Sequence, residues 1–597
     1  MDRPSIWEAL FERDESNSAD KKKRQKFFTR EFSGSITQRL KKVLSSRFFR
    51  FTKATAHLIS HIPARIYGTA LLCFGLLGTI LYFVGVSKDD SIATPIVSIL
   101  LSAISIPFLL SDKPLPIFFQ DFPPTDYLFF EFFCMKRHSN MENEKRIPIV
   151  LPIILGLVLA ALSLLVPFWA IALTIGIFVC VYIGMESPEF IFLSTLIALP
   201  YMHYIPRAEL VFGIALLLAL ISFIRKAVYG RRVLYIEQYD IIIGIMLLFI
   251  LISGIFVKGI ESFSSSVRMI VLALGYTLAS NIITNRRLAE LSANSIVFSG
   301  AISSVVSIVQ MITVIISSKG SVSHEQLTRI LAREDGVAAL LMVATIFSVG
   351  MIKQSNFRLR TVLSVSSILF IIALIISGEV FAVISILLCI GAYFIIKSNK
   401  LPVLFLPLLL TVPILTLFLP NSVLNILFKY SPSVVSAEEL FNLWRKSVSV
   451  FGKNILVGIG IGSESFAEEM EAIGVTGYPD ASNLFIELGL EAGIFALICF
   501  LLIVFTRMKH RSMQYLYVRN SQIALMSNLS GACIFSFFAF GMVNYIWSDI
   551  SAYYLFWCVL GIGSATLRVA KKDYDDSVLY YEESSAVDSS VIDIEIG

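Results

Sequence analysis

Arginines, a glycine-rich turn and a short polar cap are the residues in this sequence whose types and spacing could do chemistry. Trp444-Arg445 lies in a stretch where Leu440, Leu443, Trp444, Val448 and Phe451 recur at helical spacing behind Ser436-Ala437-Glu438-Glu439, a capping box. This predicts a short amphipathic helix packed on a membrane domain, with Arg445 beside the apolar stripe and aimed sideways into a cleft. Arg268 follows Ser264-Ser265-Ser266 at the start of a long apolar run, and Arg329 and Arg333 share a polar stretch with His324, Glu325, Glu334 and Asp335. A guanidinium stays charged, and its fork pairs two oxygens of a phosphate or carboxylate at once. Plainer roles stand beside these: an interfacial arginine whose head reaches water for Arg268, and surface charges for Arg445, Arg329 and Arg333.

Val457-Gly458-Ile459-Gly460-Ile461-Gly462 has the spacing of a phosphate cradle. No strand–helix unit surrounds it, so the better reading is a tight backbone turn that uses the free φ of glycine. Tyr478-Pro479-Asp480-Ala481-Ser482-Asn483 then runs directly into a long apolar segment. Asn483 is placed either to hydrogen-bond a ligand or to cap the helix that follows. The seven cysteines lack C-x-x-C or Cys/His metal spacing, and no outer carboxylate–histidine cluster has convincing ligand spacing, so neither a metal nor any other cofactor is expected.

Something must hold these residues, and composition says what. The 597 residues are 56% hydrophobic and 16% charged, against roughly 25% charged in soluble domains, with a mean hydropathy of +0.77. Such a chain is neither disordered nor an ordinary soluble enzyme, and a net charge of +5 gives no reason to expect a nucleic-acid partner. The apolar runs predict an all-α, polytopic integral membrane helical bundle of 14–16 transmembrane helices. The spans are placed at 66–86, 92–111, 147–166, 168–185, 188–204, 207–225, 239–257, 267–284, 289–317, 334–352, 361–377, 379–396, 401–419, 486–506, 520–545 and 550–567. With both termini cytoplasmic, 38 of the 49 Lys and Arg fall on the inside, as the positive-inside rule asks.

The expected organisation has four parts. Residues 1–65 form a basic cytoplasmic tail whose Leu40–Ile62 stretch is patterned as an interfacial helix on anionic lipid. Residues 66–187 form an N-terminal transmembrane extension, and 188–568 the main membrane domain with a large outer loop at 420–485. Residues 569–597 are an acidic cytoplasmic tail with a composition suited to disorder. No polar block is long enough to build a soluble catalytic core, so any chemistry must use the outer loops and the outer ends of the spans.

Four pieces in this order resemble the C-terminal signature of the O-antigen ligase and O-antigen polymerase (Wzy-like) superfamily of membrane glycosyltransferases: Trp444-Arg445, Val457-Gly458-Ile459-Gly460, Ser482-Asn483-Leu484-Phe485 and Gly489-Leu490-Glu491-Ala492-Gly493. The resemblance implies transfer of a glycan from an undecaprenyl-pyrophosphate-type lipid to an acceptor hydroxyl of a glycan or lipid. The setting would be the outer face of a bacterial cytoplasmic membrane, among membrane lipids and polysaccharide-assembly proteins. It implies Arg268 and Arg445 as the cations that meet the diphosphate, with Asp480 as a catalytic candidate and Trp444, Ser482, Asn483, Arg329 and Arg333 near substrate. Family members commonly carry histidine where this chain has Ser482. The acceptor's base would then be Asp480, or Glu464, Glu468 or Glu491, or none, and a non-catalytic relative is a further reading. A junction where relatives often place Ser-Arg-Gly reads Ile376-Ser377-Gly378-Glu379 here, with Glu379 set to pair with an arginine or line a pocket. The rivals to an enzyme are a lipid-linked glycan transporter and an assembly protein that docks through its outer loop.

Overall fold

A computed structural model describes residues 60–84, 93–133, 135, 137, 148, 150–204, 207–228, 234–236, 238–257, 260–317, 335–377, 379–397, 437–517 and 522–571. The expected span 401–419, residues 1–59 and 572–597 of the two tails, the capping Ser436, and Arg329 and Arg333 lie outside the described residues.

The described residues are helical, with one isolated β-bridge between Pro63 and Pro114. In chain order the principal helices are α1 (Ala64–Phe83), α2 (Ala93–Leu109), α3 (Val150–Leu162), α4 (Phe168–Glu186), α5 (Pro188–Ile197), α6 (Ala208–Val228), α7 (Gln238–Phe256), α8 (Ile260–Ile282) and α9 (Arg286–Ser317). There follow α10 (Asp335–Met351), α11 (Phe357–Ile376), α12 (Val380–Lys397), α13 (Ala437–Lys453), α14 (Ser463–Glu471), α15 (Leu484–Tyr517) and α16 (Gln522–Gly541), and α17 (Ile550–Lys571). Nine described helices are long and apolar enough to cross a bilayer, and six more are apolar but shorter. A helix satisfies every internal backbone group within itself, which lets such segments stand in lipid. The chain is a multi-pass helical membrane protein, and large apolar residues such as Phe83, Phe178, Phe256 and Phe357 stand exposed on its helices.

The described residues fall into two compact units, 60–186 with 221–228 and 187–220 with 234–571. In the first, Phe74 of α1 stacks on Phe168 of α4 at 4.3 Å between ring centroids. Gly156 of α3 packs directly against the Ala70 carbonyl of α1. In the second, the buried aromatics of α17 (Tyr553, Tyr554, Phe556, Trp557) form the centre of the core. A separate small core of Leu443, Val450, Ile459, Phe466, Met470, Ala481 and Leu490 joins α13 and α14 to α15. That small core fixes the site.

The structure departs from two expectations. The helix carrying Arg268 starts at Ile260 rather than 267, so Arg268 lies about two turns inside it. The serines that made the start look polar are absorbed locally: Ser266 donates to the Ser262 carbonyl at 2.8 Å and Ser264 to the Glu261 carbonyl at 2.9 Å. On α13 the buried stripe is Leu440, Leu443, Ser447 and Val450, while Val448 is exposed. The stripe takes the i, i+3, i+7, i+10 register around a small serine that lets Met470 approach.

Candidate functional site: a broken helix clasped by a glycine turn

Helix α15 is interrupted at Gly493, whose φ of 80° and ψ of 174° are not helical. The interruption frees backbone groups on both sides, and the 455–462 segment takes them up. Ile459 N donates to the Leu490 carbonyl at 2.7 Å, Gly460 N to the Glu491 carbonyl at 3.3 Å, and Ile494 N to the Ile455 carbonyl at 2.8 Å. The Ser253 hydroxyl of α7 donates to the same Glu491 carbonyl. Irregular backbone within an apolar helix is tolerated where protein covers it, and Leu490, Glu491 and Ala492 are all buried.

The glycines make this fit possible. Gly458 sits at φ 83°, where a Cβ would collide with the Glu491 carbonyl and lie 2.5 Å from that of Leu490. Gly460 sits at φ 101°, with Ser262 Oγ of α8 2.8 Å from where a Cβ would be. The turn is thus held between α15 and the first turns of α8, and Ile461 N donates to Ser262 Oγ at 2.9 Å.

The clasp delivers carboxylates to one place. Glu491 accepts from Gly462 N at 2.9 Å through Oε1 and from the Tyr545 hydroxyl at 2.5 Å through Oε2. Arg268, six residues after Ser262 on α8, is within electrostatic reach of the Glu491 carboxylate. Glu487, one turn earlier on α15, accepts from Ala481 N at 2.8 Å through Oε2, while its buried Oε1 has no hydrogen-bond partner among the described residues. Asp480 lies within electrostatic reach of both glutamates. Burial pushes the Asp480 carboxyl up to about 6, against a smaller opposing effect of the hydrogen bonds from Ser482. Ser482 N donates to Asp480 Oδ1 at 2.7 Å. Burial first, and then the neighbouring Glu491 and Glu487, hold the Tyr545 hydroxyl well above the ordinary tyrosine range.

Ser482 adopts φ 48°, a left-handed conformation rare for a residue with a Cβ. Such strain costs on the order of 1–3 kcal/mol and collects at functional sites. Its neighbours explain why it is held. Asn483 caps α15, its Oδ1 accepting from Phe485 N at 3.0 Å and Ile486 N at 3.1 Å, and its Nδ2 donates to the Met542 carbonyl at 2.7 Å. The Trp444 indole of α13 donates to the Ala481 carbonyl at 3.0 Å. The 480–483 corner is therefore pinned from three sides.

The arrangement brings Asp480, Ser482, Asn483 and Trp444 together, with Arg268 joining through Glu491. Arg445 is exposed on α13 and makes no ion pair among the described residues, so it faces away from the buried stripe. Glu464 and Glu468 are exposed on α14. Glu464 hydrogen-bonds Glu261, and this contact holds its carboxyl above the ordinary range. Glu379 is buried at the start of α12. Sequence reading missed Glu487 and Tyr545. A glutamate one turn into a helix opened by Asp-Ala-Ser-Asn was a signal for the first. Tyr545 carries no local signal, because its meaning lies in the contact with Glu491.

Residues 365–501 match the family model described as O-antigen ligase (Wzy_C). That tract holds α13, α14, the glycine turn, Asp480 and the broken part of α15, so this portion of the chain is O-antigen ligase-like. The match supports membrane glycan ligation or polymerisation as the class of activity. No curated protein sequence matches the chain.

Proposed function

We propose that the protein is a membrane glycosyltransferase of polysaccharide biosynthesis that transfers a glycan from a polyprenyl-diphosphate lipid to an acceptor hydroxyl. In this reading the reaction takes place at the outer face of a bacterial cytoplasmic membrane. Residues 188–568 are the working domain and 66–187 an added membrane segment. The observation that carries the reading is the clasped break in α15, inside the O-antigen ligase-like tract, with Arg268 and Asp480 both within electrostatic reach of its Glu491.

The chemistry needs two things. Negative charge develops on the leaving diphosphate, and fixed cations in a water-poor site stabilise it. Arg268 is the inner cation, within electrostatic reach of Glu491, and Arg445 has a guanidinium without an ion pair among the described residues to offer the outer phosphate. The acceptor hydroxyl must also lose a proton as its oxygen bonds the anomeric carbon and the bond from that carbon to the diphosphate oxygen breaks. The electron pair leaves with the lipid diphosphate, and the proton passes to Asp480. A carboxyl at about 6 is ionised at neutral pH and is a better base than an ordinary aspartate. No nucleotide is consumed, because the donor carries its own leaving group.

The test is Arg268→Ala, Arg445→Ala and Asp480→Asn in the native host, with surface glycan length and lipid-linked units measured at matched protein level. Each variant should shorten or abolish the glycan and cause lipid-linked units to accumulate. Normal glycan in all three would refute the reading.

A further inference from the structure

The face of α13 turned toward the 474–478 segment borders a cavity of about 250 Å³, lined among others by Glu439, Asn442, Lys446, Val475, Thr476 and Tyr478. We propose that this cavity is a sugar-recognition subsite that holds a ring of the acceptor glycan against the segment that leads into Asp480. The inference rests on the glycan-transfer reading and adds to it the place where the acceptor is read.

Four observations lead there. First, the lining is mixed in the way a sugar requires. One wall offers a carboxylate, an amide and an ammonium from Glu439, Asn442 and Lys446, spaced i, i+3 and i+7 on one helix face. The other offers the hydroxyls of Thr476 and Tyr478, and Leu443 and Val475 form an apolar floor. A pyranose presents hydroxyls around its edge and C–H groups on its faces, and it matches such a lining. Second, Asn442, Lys446, Thr476 and Tyr478 make no side-chain hydrogen bond or ion pair among the described residues, so their polar groups are available. Third, the size suits one ring: pockets that take larger, drug-sized ligands measure about 300–1,000 Å³, and this one falls just below that range. Fourth, the lining is anchored on the small core and lies close in sequence to the proposed base. Leu443 belongs to the small core, and Tyr478 and Val475 pack against it. Trp444, next to Leu443, is bonded to Ala481, and Tyr478 precedes Asp480 by two residues.

The probe is the oligosaccharide released from the host's own surface glycan by mild acid, added to the full chain in lipid nanodiscs and observed by saturation-transfer NMR. The wild type should show transfer to the protons of one terminal ring. Asn442→Ala combined with Lys446→Ala should reduce that signal at least fivefold, and Tyr478→Phe, which keeps the ring that packs on the core, should weaken it. In a transfer assay the double variant should raise the acceptor KM at least fivefold with kcat within twofold, a split that misfolding would not give. Arg268→Ala should keep full saccharide binding while losing transfer. Wild-type protein that gives no signal, or a double variant that binds as the wild type does, would overturn the subsite. If Arg268→Ala transfers normally while the double variant still loses binding, the catalytic reading fails and the subsite stands.

Discussion

Gly458→Ala is the sharpest probe of how the site is built. The native φ of 83° costs an alanine about 1–2 kcal/mol. The new methyl would collide with the Glu491 carbonyl and crowd that of Leu490, the two oxygens that accept from Gly460 N and Ile459 N. Relief requires the turn to back away, which weakens two backbone hydrogen bonds worth about 0.5–1.5 kcal/mol each. The local cost is therefore about 2–5 kcal/mol. At 1.4 kcal/mol per tenfold, a mid-range loss of about 3 kcal/mol speeds amide exchange at Ile459 and Gly460 about a hundredfold. The same retreat takes Gly462 N from Glu491, so glycan transfer should fall at least tenfold. The assay is hydrogen exchange by mass spectrometry on peptides covering 455–462, in nanodiscs. Gly452→Ala is the control, because nothing lies within 4 Å of its Cβ position and it sits in a helix, where alanine is favoured by roughly 0.5–1 kcal/mol. Wild-type protection and transfer in Gly458→Ala would refute the clasp as the element that positions Glu491.

Four further outcomes are expected. Transfer should fall about tenfold per pH unit below about 6, the level to which burial pushes Asp480, and Asp480→Asn should lose that acid limb together with most of the rate; an unchanged profile would remove Asp480 as the base. The folded state favours the neutral Asp480 carboxyl, so the burial penalty is absent below the ordinary value of 3.8 and fully present above about 6. Asp480→Asn should then be more thermally stable relative to wild type at pH 8 than at pH 4, and a difference of the opposite sign would contradict the burial. Asn483→Ala should destabilise the α15 start by about 1–2 kcal/mol through loss of the cap, and Asn483→Ser, which restores the cap but not the Met542 bond, should recover part of it; equal melting of all three would remove the cap from the account. Chelation of divalent cations should leave transfer intact in purified protein, and its abolition would replace the arginine-centred chemistry with a metal-centred one.

What could be read from the sequence was what short-range pattern determines. The apolar runs located α1 to α12 and α15 to α17, since about 20 apolar residues can satisfy themselves only as a helix in lipid. Ends were displaced where helices carry serine, as at Ile260–Ser266, because hydroxyls bonded back to their own turn look polar in a sequence and are buried in the fold. The glycines of 458–462 declared a turn but not its partner. That partner, 490–494, is about thirty residues away and inside an apolar run, where periodicity registers only helix. The register of α13 was misread for a related reason: Ser447, not Val448, faces inward, because Met470 of α14 sits opposite it. Asp480, Ser482 and Asn483 stood out as a polar run before a span, whereas Tyr545 became meaningful only once Glu491 lay beside it.

The seam between the turn and the kinked span is written almost entirely in main-chain atoms. Ile455 and Leu456 lend it only peptide groups, and both hold their side chains open to the surroundings, at 44% and 60% exposure. Substitution there should leave the seam intact, while a single added carbon at Gly458 or Gly493 should not. The segment can therefore vary the face it shows to its surroundings without moving the carboxylates behind it.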